Sequence, residues 1–430
     1  GPQAVLNQRV CKVTPDERFY DRLLLSYAIP GYLRAINAET SSITVKHLSS
    51  RTVEDIPLPL PPLPEQHRIV AEIEKHFTRL DAAVAAMKRA RANLKRYRAA
   101  VLKAACEGRL VPTESELARI EGRDYEPANV LLERTLRERR ERWEADQLAK
   151  MQAAGKPPKD DRWKAKYKEP RPPDTDDLPA LPDGWVWATM PRFGELNRGK
   201  SKHRPRNDPR LLGGPYPFIQ TGEVAHSGGL IRNHSQTYSE LGLAQSRLWP
   251  EGTLCITIAA NIAETGILTY PACFPDSVVG FAFDGDPSTV RFVELFLRTA
   301  KQRLERFAPA TAQKNINLAV LERVAVPLPP AAEQPRIVAE VERRLSVVEE
   351  LERVIERGLR RAERLRQSIL KCAFEGKLVP QDPNDEPASV LLERIGAERA
   401  SRRDSAAPRR RSRRAEAAAA QMRLEEAMRE

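Results

Sequence analysis

The sequence predicts an α+β protein in which globular domains are joined by two long helices that pair as an antiparallel coiled coil. Three observations carry this. Glu65-Gln66 and Arg68-Ile69-Val70-Ala71-Glu72 return 268 residues later as Glu333-Gln334 and Arg336-Ile337-Val338-Ala339-Glu340. Each copy then shows apolar residues at heptad spacing. Each also closes on the same signal, Glu107-Gly108-Arg109-Leu110-Val111-Pro112 in one and Glu375-Gly376-Lys377-Leu378-Val379-Pro380 in the other. A repeat this long is the duplication of a whole module rather than a solenoid.

Taken in order, residues 1–55 mix short strand-like and helical pieces. The first repeat spans 56–155 and opens on a proline run, Pro57 to Pro64. Its stripe is Val70, Ile73, Phe77, Leu80, Val84, Met87, Leu94 and Val101, the pattern of a coiled-coil seam. Gly108 stands where a C-terminal glycine cap belongs, and Pro112 forbids continuation. At about 1.5 Å per residue such a helix is roughly 65 Å long and cannot bury its stripe alone. Pairing the two copies needs the chain to return on itself, and hence an antiparallel arrangement. Arg98 and Arg366 interrupt the two stripes at equivalent positions and are expected to set register or strand number. A shorter helix follows at Pro127-Ala128-Asn129-Val130-Leu131-Leu132-Glu133-Arg134 and runs on to about Ala154.

Residues 156–180 form a proline-rich connector, expected to be extended. Residues 181–323 form a complete globular domain, with buried strands near Leu254–Ile258 and Val278–Phe283 and an amphipathic helix over Val290–Phe307. The second repeat, 324–395, has the stripe Val338, Val341, Leu345, Val348, Ile355, Leu359 and Ile369. It ends on Pro387-Ala388-Ser389-Val390-Leu391-Leu392-Glu393-Arg394, and Leu131, Leu132, Leu391 and Leu392 are expected to pack locally. Residues 396–430 are a basic tail.

The formal charge is +12 and the pI about 9.5, a balance suited to a polyanion. Five cysteines without CxxC spacing indicate neither a disulfide framework nor a zinc site. No apolar run reaches membrane-spanning length and no signal-peptide pattern is read, so a cytoplasmic location and no membrane partner are expected. The six histidines show no metal-ligand spacing, and no metal site is expected. No Asp/Asn-Pro-Pro-Tyr methyltransferase motif and no glycine-rich cofactor loop occurs, so no catalytic residues are assigned.

Gly194-Glu195-Leu196-Asn197-Arg198-Gly199-Lys200-Ser201 is a literal GxxxxGKS. A phosphate-binding loop needs a strand before it and a helix after it. Met190-Pro191-Arg192 precedes this one and Lys202-His203-Arg204-Pro205-Arg206 follows, which argues against it. A P-loop ATPase with a coiled-coil arm stays as an alternative, as does a purely structural coiled-coil scaffold. Residues 192–210 hold seven Arg or Lys, a cluster able to position a protein on phosphates.

Pro-Leu-Pro-Pro ahead of Glu-Gln-x-Arg-Ile-Val, the Glu-Gly-(Arg/Lys)-Leu-Val-Pro ending, and Leu181-Pro182-Asp183-Gly184-Trp185-Val186-Trp187 opening a domain together resemble the specificity subunits of type I restriction-modification systems. The resemblance covers nearly the whole chain. It implies two target-recognition domains separated by two antiparallel helices, binding a bipartite target in double-stranded DNA. It also implies a subunit with no activity or cofactor of its own. Two methyltransferase subunits would dock on the repeats, with motor-nuclease subunits in the full complex; S-adenosylmethionine, ATP and Mg would sit on those partners. Residues 1–55 match only the closing part of the second domain, with Lys46-His47-Leu48 at the offset of Lys314-Asn315-Ile316. The N-terminal two thirds of the first recognition domain are therefore expected to be missing. The residues expected to contact DNA are Arg198, Lys200, Ser201, Lys202, Arg204 and Arg206 in the basic loop, and Gln220 and Thr221 at a strand-to-turn element. Thr311, Gln313, Lys314 and Asn315 form a second polar loop, and Lys46 and His47 are its remnant in the first domain. Amides favour adenine, whereas the lysines and arginines of the loop would meet phosphates.

Overall fold

The computed structural model describes residues 11–39, 50–155, 158, 160–201, 208–259, 262–306 and 316–401. α1 (Arg22–Glu39) and α2 (Ser50–Glu54) precede the first long helix, α3 (Leu63–Cys106). α4 (Glu114–Glu121) and α5 (Ala128–Ala153) follow it, then a 3-10 helix at Asp161–Lys166. The sheet-bearing segment begins with β1 (Val186–Thr189), α6 (Met190–Phe193), β2 (Glu195–Arg198), β3 (Leu212–Phe218) and α7 (Thr221–His226). β4 (Leu230–Ile231), β5 (Gln236–Tyr238), α8 (Glu240–Ala244), β6 (Leu254–Thr257), β7 (Thr265–Leu268) and β8 (Val278–Ala282) come next. α9 (Pro287–Arg306), α10 (Leu318–Leu321) and β9 (Ala325–Leu328) lead into the second long helix, α11 (Gln334–Phe374). A last helix, α12, covers 388–401.

Contacts divide the chain into two units, Gly1–Arg91 with Arg353–Glu430, and Ala92–Glu352. The boundary falls inside both long helices, so each unit holds a stretch of each. In the first unit Ile69, Val70, Ile73 and Phe77 of α3 are buried in one cluster with Leu24 of α1 and Ala373 of α11. The start of α3 meets the end of α11, which makes the pair antiparallel. In the second unit Val101, Leu102 and Ala105 share a core with Ile337, Val338, Val341 and Leu345, again antiparallel. Heptad periodicity produces this, because it keeps one seam facing the partner along the helix.

The two arginines that interrupt the stripes each face an acid on the other helix. Arg98 lies 3.1 Å from Glu352. Arg366 pairs with Asp81 and stacks its guanidinium 4.1 Å over the Phe77 ring. All four charged partners keep substantial solvent contact, so each pair is worth at most about 1 kcal/mol. They discriminate between registers more than they hold the helices together.

The glutamines at the two repeat starts bond to equivalent positions. Gln66 donates from Nε2 to the Pro61 carbonyl at 2.8 Å and accepts the Asp21 amide at 2.7 Å. Gln334 donates to the Pro329 carbonyl at 3.0 Å and accepts the Thr289 hydroxyl at 2.5 Å. Each pair of partners is one repeat length from the other, so the duplication reaches back into the residues before the helices. Both helices end in the same left-handed glycine cap. Gly108 (φ 65°) and Gly376 (φ 68°) donate three residues back, while Arg109 and Lys377 donate five back, to the Ala104 and Cys372 carbonyls at 2.9 and 2.8 Å.

The second unit carries a five-stranded sheet in the order β2-β8-β6-β7-β4, antiparallel except for β4 against β7. β6 and β7 are buried along their whole length, as covered strands are. Leu254 and Ile256 of β6 face one core and Cys255 the other, as the two-residue strand period requires. α9 covers β7. β1 pairs with β9, tying the start of the domain to the strand that feeds α11.

Two expectations need correction. The connector is not extended throughout: at Asp161–Lys166 it winds into a 3-10 helix, where Trp163 stacks on Trp143 of α5 at 6.0 Å and Tyr167 lies 5.4 Å from the same ring. Three aromatic groups in a polar stretch bury one another, which proline spacing does not reveal. Leu131, Leu132 and Leu391 are buried, but Leu392 is 57% exposed. Leu132 packs into the core of the sheet-bearing unit, and among the described residues no such core takes up Leu392.

Candidate nucleic-acid interface

All described candidate residues fall in the sheet-bearing unit. β2 ends at Arg198, whose guanidinium donates to the Asp276 carbonyl at 2.9 and 2.7 Å. The next two amides are engaged in the fold, Gly199 N–H with Val278 O at 2.9 Å and Lys200 N–H with Phe274 O at 3.1 Å. A Cβ on Gly199 would lie 2.3 Å from the Phe274 carbonyl, so only glycine permits this approach. The GxxxxGKS stretch is therefore a sheet strand with a tight exit. Its residues 195–198 form β2 rather than a phosphate cradle, and Gly199 and Lys200 turn their amides into the protein.

Lys200 is exposed, and its carbonyl accepts the Ser246 hydroxyl at 2.8 Å. Ser201 is buried with Oγ 3.3 Å from the Tyr238 hydroxyl. Tyr238 is the last residue of β5, stacked 4.1 Å from Phe218 of β3. Gln236, the first residue of β5, accepts at Oε1 from Gln220 Nε2 at 2.9 Å. A three-residue strand thus joins the basic loop at one end to the Gln220 turn at the other.

Gln220 is exposed and precedes α7, whose first residue, Thr221, is half-buried. The Glu223 carboxylate accepts the Gln220 amide at 3.1 Å and the Ser235 hydroxyl. Burial works to raise this carboxyl, yet the Ser235 hydroxyl and nearby amides hold it below the usual carboxylate range. On the other side of the loop, Arg247 forks onto Glu195 at 2.5 and 2.8 Å and covers the Trp249 ring at 3.9 Å. That contact holds Glu195 ionised and its pKa down.

Lys202, Arg204, Arg206, Thr311, Gln313, Lys314, Asn315, Lys46 and His47 lie outside the described residues. The structure adds Ser235, Gln236, Tyr238 and Ser246, which sequence reading missed. The polar run from His234 to Tyr238 is a signal for the first three, and nothing in the sequence marks Ser246. The arrangement offers outward donors and an amide pair, suited to holding a polar surface. Among the described residues, no cluster of three or more His, Cys, Asp or Glu could hold a metal ion. Nor, among them, is any helix long and apolar enough to cross a membrane.

A twinned antiparallel helix pair with a polar-looped sheet domain defines the class of DNA-specificity subunits. The description "Type I restriction modification DNA specificity domain" matches residues 2–94 and 182–356. The chain belongs to this family of type I restriction-modification specificity subunits. It is 30% identical over 423 residues to the type I restriction enzyme EcoBI specificity subunit of Escherichia coli, covering 92% of this chain and 76% of that one. It is 22% identical to the EcoKI specificity subunit of Escherichia coli strain K12, covering 89% and 72%. A solved structure described as the basis of complex assembly and conformational transition of the type I R-M system is similar in fold, with a TM-score of 0.56 at 17% identity over 84% of this chain and 73% of that one.

Proposed function

We propose that this chain reads a bipartite DNA target for a type I restriction-modification complex and carries no catalytic activity or cofactor of its own. Methyl transfer and translocation, with their S-adenosylmethionine, ATP and Mg, would belong to two methyltransferase and further motor-nuclease subunits docked on its repeats. The observation that carries the reading is the polar surface around β5. There Gln220 donates to Gln236, and its side chain also takes part in the cap of α7 with Glu223, so the amide group left outward is Nε2 of the exposed Gln236. An exposed side-chain amide suits a base edge in the major groove, while Lys200 nearby suits a phosphate.

The test is binding to cognate and scrambled duplexes across a salt series. Lys200→Ala is expected to weaken both duplexes alike and to lower the salt slope by roughly one unit. Gln220→Ala is expected to cost about 1–3 kcal/mol on the cognate duplex alone. Equal losses on both duplexes for Gln220→Ala would remove it from base reading. The paired helices are proposed as a ruler between half-sites. One heptad added to both should change the gap between methylated adenines and leave each half-site unchanged.

A further inference from the structure

One carboxylate in the proposed DNA surface works against affinity. Glu223 is half-buried in the first turn of α7, two residues after Thr221. Among the described residues no cation pairs with it. Negative charge without a counter-ion beside a phosphate backbone weakens binding. Both oxygens are nevertheless occupied. Oε2 accepts the Gln220 amide at 3.1 Å, and Oε1 accepts the Ser235 hydroxyl. The Ser235 amide adds to the hold on the charged form.

A glutamate at the third position of a helix ordinarily does no more than cap it. Here α7 has only six residues, and Val224 already anchors it in one buried core with Ile219 and Ile231. The second oxygen reaches a different segment. Residues 232–235 are all exposed between buried Ile231 and the start of β5. Among the described residues their other side-chain tie is His234, 3.3 Å from the Tyr270 hydroxyl. Ser235 immediately precedes Gln236, whose backbone is registered opposite Phe218 of β3. That register fixes where Gln236 begins but not where its amide points. Its direction comes from Gln220 Nε2, at 2.9 Å, and from the segment that Glu223 holds.

We propose that Glu223 is a positioning residue for sequence reading: its carboxylate staples Ser235 to the start of α7 and so aims the side-chain amide of Gln236, while opposing general affinity for DNA. It acts through Ser235 and Gln220 rather than on a base. The proposal rests on the reading of Gln236 as a base contact. It carries an unusual signature, because neutralising Glu223 should loosen discrimination and tighten non-specific binding together. Loss of a mere helix cap would weaken both duplexes.

The experiment measures binding of the 430-residue chain to labelled cognate and scrambled duplexes at one salt concentration, by anisotropy. The ratio of the two affinities reads discrimination, and the scrambled duplex alone reads electrostatics. Gln236→Ala should lower the ratio at least about fivefold. Glu223→Gln should lower it several-fold while strengthening the scrambled duplex by about twofold or more. Ser235→Ala, which leaves the charge in place, should lower the ratio with scrambled binding unchanged, and it carries the test if Glu223→Gln fails to fold. Combining Glu223→Gln with Gln236→Ala should lower the ratio no further than Gln236→Ala alone. If Gln236→Ala lowers the ratio and neither Glu223→Gln nor Ser235→Ala does, the proposal is overturned and the reading of Gln236 stands. An unchanged ratio for Gln236→Ala removes that reading and the proposal with it. Equal weakening of both duplexes by Glu223→Gln, with a lower unfolding midpoint, leaves Glu223 a helix cap and also overturns the proposal.

Discussion

Glu333 and Glu65 stand at the same place in the two repeats and are both buried, yet they live in different surroundings. Glu333 accepts the Trp185 indole and, at 2.9 Å, the Glu114 amide. Glu65 accepts from no described residue. Nearby, Gln66 and Gln334 make matching bonds, and Gly108 and Gly376 make matching caps. The difference separates two kinds of preserved residue. Gln66, Gln334 and the cap glycines find their partners inside the module and keep the same geometry in both copies. Glu333 finds its donors on segments that arrive from elsewhere in the chain, Glu114 and Trp185, whereas Glu65 has no such donor among the described residues.

The sharpest way to break this comparison is Trp185→Ala. Truncating a buried aromatic leaves a cavity and takes one donor from the Glu333 carboxylate, and should destabilise the sheet-bearing unit by about 3–5 kcal/mol in denaturant titration. A loss below about 1 kcal/mol would mean that the Trp185 contact is incidental.

A smaller contrast lies in the acids themselves. Glu333→Leu strips an acceptor from the indole and from the Glu114 amide and should cost about 1–3 kcal/mol. Glu65→Leu, which removes a buried carboxylate with no described donor, should be neutral or stabilising. Parallel urea midpoints for the two variants decide it, and equal destabilisation would erase the distinction.

The smallest effect is in pH. Burial raises the Glu333 carboxyl above its ordinary value near 4.5, against the pull of the Glu114 amide and Trp185. The folded chain then holds a proton that the unfolded chain releases, so stability falls as pH rises from the unfolded value to the folded one. Glu294, buried beside Arg291 and Arg298, is shifted the same way and adds to the slope. Glu333→Gln should flatten that fall above the ordinary carboxylate value, and an unchanged slope would assign it to Glu294 alone.

The long helices were legible because heptad spacing and the glycine and proline stops are local signals with one physical meaning. The covered strands β6 and β8 were legible as continuous apolar runs. The Trp143–Trp163 stack was hidden, since nothing in a proline-rich stretch says which aromatic group it will find. Within the candidate interface, the basic loop announced itself by charge. Gln236 did not, because its place beside Gln220 is set by the pairing of β3 with β5, whose register shifts between Leu212 and Tyr216. Glu65 and Glu333 were visible only as letters repeated, and their unequal surroundings arise only when the chain folds.

Within the first unit, Met87 of α3 lies against Gly358 of α11, where an added Cβ would stand 2.6 Å from its sulfur. One repeat length on, the counterpart of Gly358 is Ala90 and that of Met87 is Ile355. A helix paired with its own copy would set Met87 against alanine, and the thioether would have to yield. The two strands of the duplication have thus diverged into a lock and its key. Pairing either helix with its own copy is thereby disfavoured at this level, which gives the pair a fixed sense of which helix is which.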